Sequence, residues 1–190
     1  MNIGLAQLNP TVGDLAGNSR KIIDGCRALE KRGATIVLTP ELVLTGYPPQ
    51  DLLFKSDFVP ASLRALEEIH AEVGPAAWIV GCVHPNPSEH GRPFFNAAAI
   101  LEKGRPPRFV FKSLLPTYDV FNETRYFEPN SSPAPVKIGG RLFGVTICED
   151  IWTPEHLPRR LYSTNPVETL VAAGATTILN LSASPFQIGK

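Results

Sequence analysis

Three apolar runs in this 190-residue chain each end on a side chain able to move a proton or attack a carbon. Ile36-Val37-Leu38-Thr39-Pro40 leads into the carboxylate of Glu41, and Arg108-Phe109-Val110-Phe111 leads into the ammonium of Lys112. Phe143-Gly144-Val145-Thr146-Ile147 leads into the thiol of Cys148, with Glu149 and Asp150 directly after it. A thiol is a nucleophile, a carboxylate can take its proton, and a cation can hold charge that develops during attack. In open α/β sheets, ligands collect beyond the carboxyl ends of the strands, which is where all three side chains would stand. Each also has a plainer reading taken alone: Cys148 as a small buried apolar residue, Glu41 as a solvated turn residue after Pro40, Lys112 as a surface charge. Their separations along the chain are tertiary, so spacing leaves both readings open.

The elements that must position these residues alternate in type. Asn2 to Leu8 reads as a short strand, and Asn18 to Arg32 carries Ile22, Cys26 and Leu29 at helical spacing before Gly33. Ala34 to Thr39 reads as a buried strand ended by Pro40, Pro60 to Val73 as a helix on Leu63, Leu66 and Ile69, and Trp78 to Val83 as a strand. Phe94 to Leu101, Arg108 to Phe111 and Val136 to Val145 read as further strands separated by Gly and Pro turns. Asn165-Pro166 is a helix start, for a helix ending near Gly174, and Thr176 to Leu181 is a last strand. The pattern predicts helices layered on a sheet, an α/β fold.

Composition narrows the function classes. Eighteen Lys and Arg balance eighteen Asp and Glu, which removes the electrostatic case for nucleic acid. No apolar stretch approaches the length of a membrane span, and Met1-Asn2-Ile3-Gly4 has no basic leader region. A cytoplasmic protein is the expectation. Cys26, Cys82 and Cys148 are an odd, widely spaced set, which fits a reducing compartment rather than disulfides or a zinc site. The four histidines form no metal-binding pattern, and neither a P-loop nor a G-x-G-x-x-G is present. The expectation is therefore no metal.

Longer motifs carry a resemblance. Glu41-Leu-Val-Leu-Thr-Gly-Tyr-Pro-Pro-Gln-Asp-Leu-Leu, Lys112-Ser-Leu-Leu-Pro-Thr-Tyr-Asp-Val-Phe-Asn-Glu-Thr-Arg-Tyr-Phe and Cys148-Glu-Asp-Ile-Trp are similar to the nitrilase, or carbon–nitrogen hydrolase, superfamily. More narrowly they resemble the N-terminal glutaminase domain of glutamine-dependent NAD⁺ synthetases. The opening Ile3-Gly4-Leu5-Ala6-Gln7-Leu8-Asn9-Pro10 and the closing Asn180-Leu-Ser-Ala-Ser-Pro-Phe fit the same family.

The resemblance implies a four-layer αββα sandwich and a Glu41–Lys112–Cys148 triad that hydrolyses the side-chain amide of L-glutamine. It implies an oxyanion donor in the backbone N–H of Glu149, and substrate contacts from Tyr118, Glu123, Ser184, Lys190 and Tyr47. It further implies that residues 1–190 are a partial glutaminase domain lacking its C-terminal part. The synthetase domain that would amidate deamido-NAD⁺ to NAD⁺ with ATP and Mg²⁺ is absent, so no cofactor is expected in this chain. Such a piece would leave a strand edge unpaired, so self-association into a homo-oligomer and weak glutaminase activity are expected. A stand-alone amidase or nitrilase acting on another small amide, and an inert assembly module, are the competing readings.

Overall fold

The computed structural model describes residues 1–118, 121–152, 161–184 and 188. Five strands form the first sheet: β1 (Ile3–Leu5), β2 (Ile36–Leu38), β3 (Ala77–Pro85), β4 (Phe94–Leu101) and β5 (Arg108–Phe111), in that spatial order. β1, β2 and β3 run parallel, and β4 is antiparallel to both β3 and β5. The second sheet holds β6 (Val136–Ile138), β7 (Arg141–Ile147) and β8 (Thr177–Leu181), with β6 antiparallel and β8 parallel to β7.

Alternation along the strands builds the layers, because successive side chains leave opposite faces. Val37, Trp78, Val80, Cys82, Ala97, Ala99 and Leu101 point to one face of the first sheet. There they pack on α1 (Leu15–Lys31) and α2 (Phe58–Ala71) through Ile22, Cys26, Leu66 and Ile69. Ile36, Leu38, Ile79, Ala98 and Ile100 point the other way, onto Phe143, Val145, Ile147, Leu179 and Leu181 of the second sheet. α3 (Pro166–Ala172) covers that sheet's outer face, with Leu170 buried against Gly144. The layer order is helix, sheet, sheet, helix, an αββα sandwich.

Local chemistry sets the element ends and corrects three expectations. α1 begins at Leu15, not Asn18, because the Asp14 side chain accepts from Gly17 N–H at 2.9 Å. Asn18 lies buried inside the helix instead. Its amide bonds both polar groups of the Thr11 backbone and donates to Leu44 O at 3.0 Å, which pins the segment after Glu41. The single strand expected over Val136 to Val145 is a hairpin, since Gly139 and Gly140 both take positive φ and reverse the chain there. The first strand is also shorter than read, ending at Leu5. α3 matches its expected start: Asn165 accepts from Glu168 N–H with Pro166 in the first turn.

Strand direction brings the chemistry together. β2, β3 and β5 all point the same way, so their carboxyl ends share one edge of the sheet with the beginning of antiparallel β4. Beyond β2 the chain must turn sharply against β3, and Gly81 permits it. A Cβ at Gly81 would lie 2.3 Å from Pro40 O and 2.5 Å from Leu42 N. Gly81→Ala is therefore expected to destabilise the fold by about 1–3 kcal/mol and to displace Glu41. Urea denaturation checks this, and an unchanged midpoint would show that the turn has room to spare.

Candidate active site

Glu41 and Lys112, both wholly buried, meet in an ion pair of 2.8 Å between Lys112 Nζ and Glu41 Oε1. A second carboxylate, Glu123, accepts from the same ammonium through Oε1, also at 2.8 Å. Glu123 begins a 3-10 turn, Glu123–Arg125, docked by its N–H on Pro116 O at 3.1 Å. Tyr47 donates its hydroxyl to Glu123 Oε1 at 2.9 Å. The buried amide of Asn96, on β4, donates to Glu41 Oε1 at 2.8 Å and to Glu123 Oε2 at 3.4 Å. Ala183 N–H reaches Glu41 Oε2 at 3.1 Å.

Cys148 enters the same hollow from β7. Its φ of +49° is left-handed, a conformation that costs a non-glycine residue about 1–2 kcal/mol. The strain sits where β7 turns abruptly into the 3-10 turn Cys148–Ile151, and such turns present a nucleophile clear of its own strand. Its thiol lies 3.8 Å from Ala183 O. Burial pushes the thiol up to about 12, the Glu41 carboxylate adds to the rise, and the Lys112 ammonium opposes it. Cys148 therefore rests as a protonated thiol beside a carboxylate that can receive its proton.

The neighbouring charges are tuned by the same burial. For Lys112, burial favours loss of the proton, but Glu41 and Glu123 outweigh it and hold the ammonium above its ordinary value. Burial raises Glu123 to about 7 against the pull of Lys112, with Glu41 adding to the rise. Tyr47 is pushed upward by burial and by Glu123. One ammonium thus faces two carboxylates, one of which takes up a proton near neutrality.

Asp150 locks the two halves of the site. Its Oδ1 accepts from Ser113 N–H at 2.9 Å and Leu114 N–H at 2.8 Å, and its Oδ2 accepts from Ile147 N–H at 3.0 Å. The segment after Lys112 is thereby fastened to the end of β7. Burial pushes Asp150 up to about 6, while the three amides favour its charged form.

Of the residues singled out from sequence, Glu41, Lys112, Cys148, Glu123 and Tyr47 converge. Tyr118 stands a step away. It is 36% exposed and donates to the buried carboxylate of Glu149, which also accepts from Tyr162. Glu149 thus presents a clamped side chain as well as a backbone N–H. Phe121 packs between Tyr47 and Tyr118, with ring centroids 6.3 Å and 5.5 Å away. A cavity of about 200 Å³ adjoins the cluster and is walled in part by Tyr47, Phe121 and Glu123. Ser184 is exposed, one residue past Ala183. Lys190 lies outside the described residues. Asn96, Asp150 and Tyr162 were missed from the sequence. For Asp150, its place two residues after Cys148 was the available signal.

Known proteins resemble this chain in sequence and in fold. The carbon–nitrogen hydrolase family model matches residues 2–187. The chain is 40% identical over 193 residues to a glutamine-dependent NAD(+) synthetase of Synechocystis sp., covering 99% of this chain and 35% of that protein. It is 38% identical to one of Thermotoga maritima, covering 100% and 31%. The chain thus spans about a third of the length of these relatives. Among solved structures, a glutamine-dependent NAD+ synthetase of Acinetobacter baumannii superposes with a TM-score of 0.81 at 31% identity, covering 98% of this chain and 33% of that one. An amidase from Nesterenkonia sp. superposes with 0.77 at 25%, covering 99% and 66%.

The three thiols divide sharply in setting. Cys26 and Cys82 are buried in the helix-facing core, and burial pushes both up to about 12. Only Cys148 is partly accessible and has a base and a cation at hand. A glutamine-analogue electrophile is expected to label Cys148 alone in folded protein and all three thiols after denaturation. Peptide mapping that finds equal labelling in the folded state would remove Cys148 as nucleophile.

Proposed function

Because the chain belongs to the carbon–nitrogen hydrolase family, we propose that its site hydrolyses the side-chain amide of L-glutamine through a thioester on Cys148. The observation that carries this reading is the buried cluster itself, in which Lys112 joins Glu41 to Glu123 beside a protonated thiol. The names of the relatives supply the substrate: they are glutamine-dependent synthetases, and the identity to them reaches 40%.

The steps follow from the positions of the groups. Glu41 takes the Cys148 proton as Sγ attacks the amide carbon, since a thiol held at about 12 is almost fully protonated at neutral pH. The carbonyl oxygen gains charge as the carbon becomes tetrahedral, and needs donors aimed at where that charge develops. Lys112 supplies one. The Glu149 N–H supplies another, because the first amides of a helical turn have no partner within it. Glu41 returns the proton to the departing nitrogen, ammonia leaves, and a γ-glutamyl thioester remains on Cys148. Glu41 then deprotonates water, which attacks the thioester carbon and releases glutamate and the thiol. Glu123 and Tyr47 keep Lys112 in place through both halves. Tyr118, Ser184 and Lys190 are assigned to the polar groups of glutamine by resemblance.

The steps proposed draw on side chains, the Glu149 backbone N–H and water. In the longer parent of such a chain, the ammonia would amidate deamido-NAD⁺ in a synthetase domain that brings ATP and Mg²⁺. That role, a homo-oligomeric assembly and a cytoplasmic site belong to the same reading. No described helix is long and apolar enough to cross a membrane, and the free thiols suit a reducing compartment. A stand-alone amidase is the second reading, favoured by the superposition on the Nesterenkonia enzyme. The higher identity to the synthetases puts glutamine first.

Ammonia release from L-glutamine tests the assignment, with Lys112→Arg as the informative variant. A planar guanidinium keeps the charge but cannot reproduce a compact ammonium wedged between two carboxylates. kcat is expected to fall at least ~100-fold, with the fold intact by circular dichroism. Near-native turnover would show that Lys112 does not face the reacting oxygen.

A further inference from the structure

Asn96 is the third residue of β4, buried where the start of that strand lies among the carboxyl ends of its neighbours. Its backbone carbonyl accepts from Lys112 N–H at 2.9 Å, so the two residues are tied through the main chain as well. The side-chain amide has two N–H protons and spends them on two carboxylates, Glu41 Oε1 and Glu123 Oε2. Its own oxygen, Oδ1, is buried with no hydrogen-bond partner among the described residues. An unpaired buried acceptor is destabilising and rarely left in a fold. Turning the amide over would aim that oxygen at two carboxylates, which is worse. Among the described residues, both donors of the amide serve the charged cluster and its acceptor serves none.

The consequence for Glu41 is specific. Its Oε1 is engaged by Lys112 and Asn96 together, whereas Oε2 receives a single backbone N–H, from Ala183. The oxygen with capacity left for the thiol proton is Oε2. Lys112 bonds Oε1 of both carboxylates, and Asn96 closes the ring by bridging Glu41 Oε1 to Glu123 Oε2. Without the bridge, Glu41 would keep Lys112 and the Ala183 N–H, and Glu123 would keep Lys112 and Tyr47, but nothing would join the two carboxylates on the side away from the ammonium.

We infer that Asn96 is a positioning residue that bridges the Glu41 and Glu123 carboxylates and turns Glu41 so that its Oε2 receives the Cys148 proton. This rests on the reading of Glu41 as the base. The charged and titratable groups around Asn96 are Glu41, Glu123, Lys112, Cys148 and Tyr47, and Asn96 itself carries no charge. Its part is geometric, and it acts through the carboxylates rather than on substrate.

The test follows alkylation of Cys148 by iodoacetamide from about pH 5 to about pH 9, in the wild-type chain and in Asn96→Leu, Asn96→Ser, Asn96→Asp and Glu41→Gln. This readout needs no turnover of glutamine. Glu41→Gln is expected to slow alkylation and to change the shape of the wild-type profile. Asn96→Leu and Asn96→Ser are expected to slow alkylation by about tenfold or more and to change the shape of the profile in the same sense as Glu41→Gln, with thermal midpoints showing folded protein. Asn96→Asp can donate only while its carboxyl is protonated, so its rate relative to wild type is expected to decline as pH rises. Leu and Ser differ in bulk and polarity, so at least one folded variant is available for the comparison. If Glu41→Gln alters the profile while the folded Asn96 variants follow wild type, or lose rate uniformly at every pH, the positioning role is overturned and the base assignment stands. If Glu41→Gln leaves the profile unchanged, the base reading fails and the inference fails with it.

Discussion

A lysine ammonium with no exposed surface lies 2.8 Å from each of two buried carboxylates, and the site is organised by what that burial demands. Moving ions out of water costs several kcal/mol each, and the cost is recovered only when charges pair closely and their remaining lone pairs find donors. Lys112 cannot neutralise both carboxylates, so the balance comes from elsewhere: the Asn96 amide, the Tyr47 hydroxyl, the Ala183 N–H, and the burial of Glu123, which favours its protonated form. These partners come from the loop after β2, the start of β4, the end of β5, the 3-10 turn at Glu123 and the segment after β8. One buried cation therefore fixes the relative placement of five stretches of chain.

The thiol benefits from an arrangement that does not ionise it. Burial favours the protonated thiol, and a carboxylate held by fixed donors waits to take the proton as the sulfur attacks. Preorganisation of this kind contributes to rate because nothing has to reorient as charge moves. Asp150 extends the principle outward by fastening the chain beyond Lys112 to the end of β7, so that cation and nucleophile shift together or not at all. The left-handed backbone at Cys148 is the strain this placement carries.

Much of this was legible in the residues. Apolar runs ending on Glu41, Lys112 and Cys148 are strands whose ends meet, and the segments around Ile36 to Leu38 and Phe94 to Leu101 read as strands, though not how their side chains divide between two layers. Glu123 and Tyr47 came through resemblance to the carbon–nitrogen hydrolases, since nothing in their local spacing marks them. Asn96 was not legible. It sits in an alternating strand like any half-buried polar residue, and its importance comes from two carboxylates that are distant in sequence. The Glu149 carboxylate was read only for its backbone, because its partners Tyr118 and Tyr162 reach it from separate loops. The hairpin within Val136 to Val145 had a signal that was not used: Gly139-Gly140, between Val136-Lys137-Ile138 and Arg141-Leu142-Phe143, is a two-residue turn of the kind that reverses a strand.

The central claim is that the buried cluster transfers an acyl group from glutamine to Cys148. Rapid acid quenching of the protein mixed with L-glutamine, followed by mass analysis of the peptide that contains Cys148, tests it most directly. A γ-glutamyl adduct on that peptide, formed as ammonia is released and absent in Glu41→Gln, is the predicted result. Ammonia released with no adduct on Cys148, or an adduct that forms equally well without Glu41, would contradict the account.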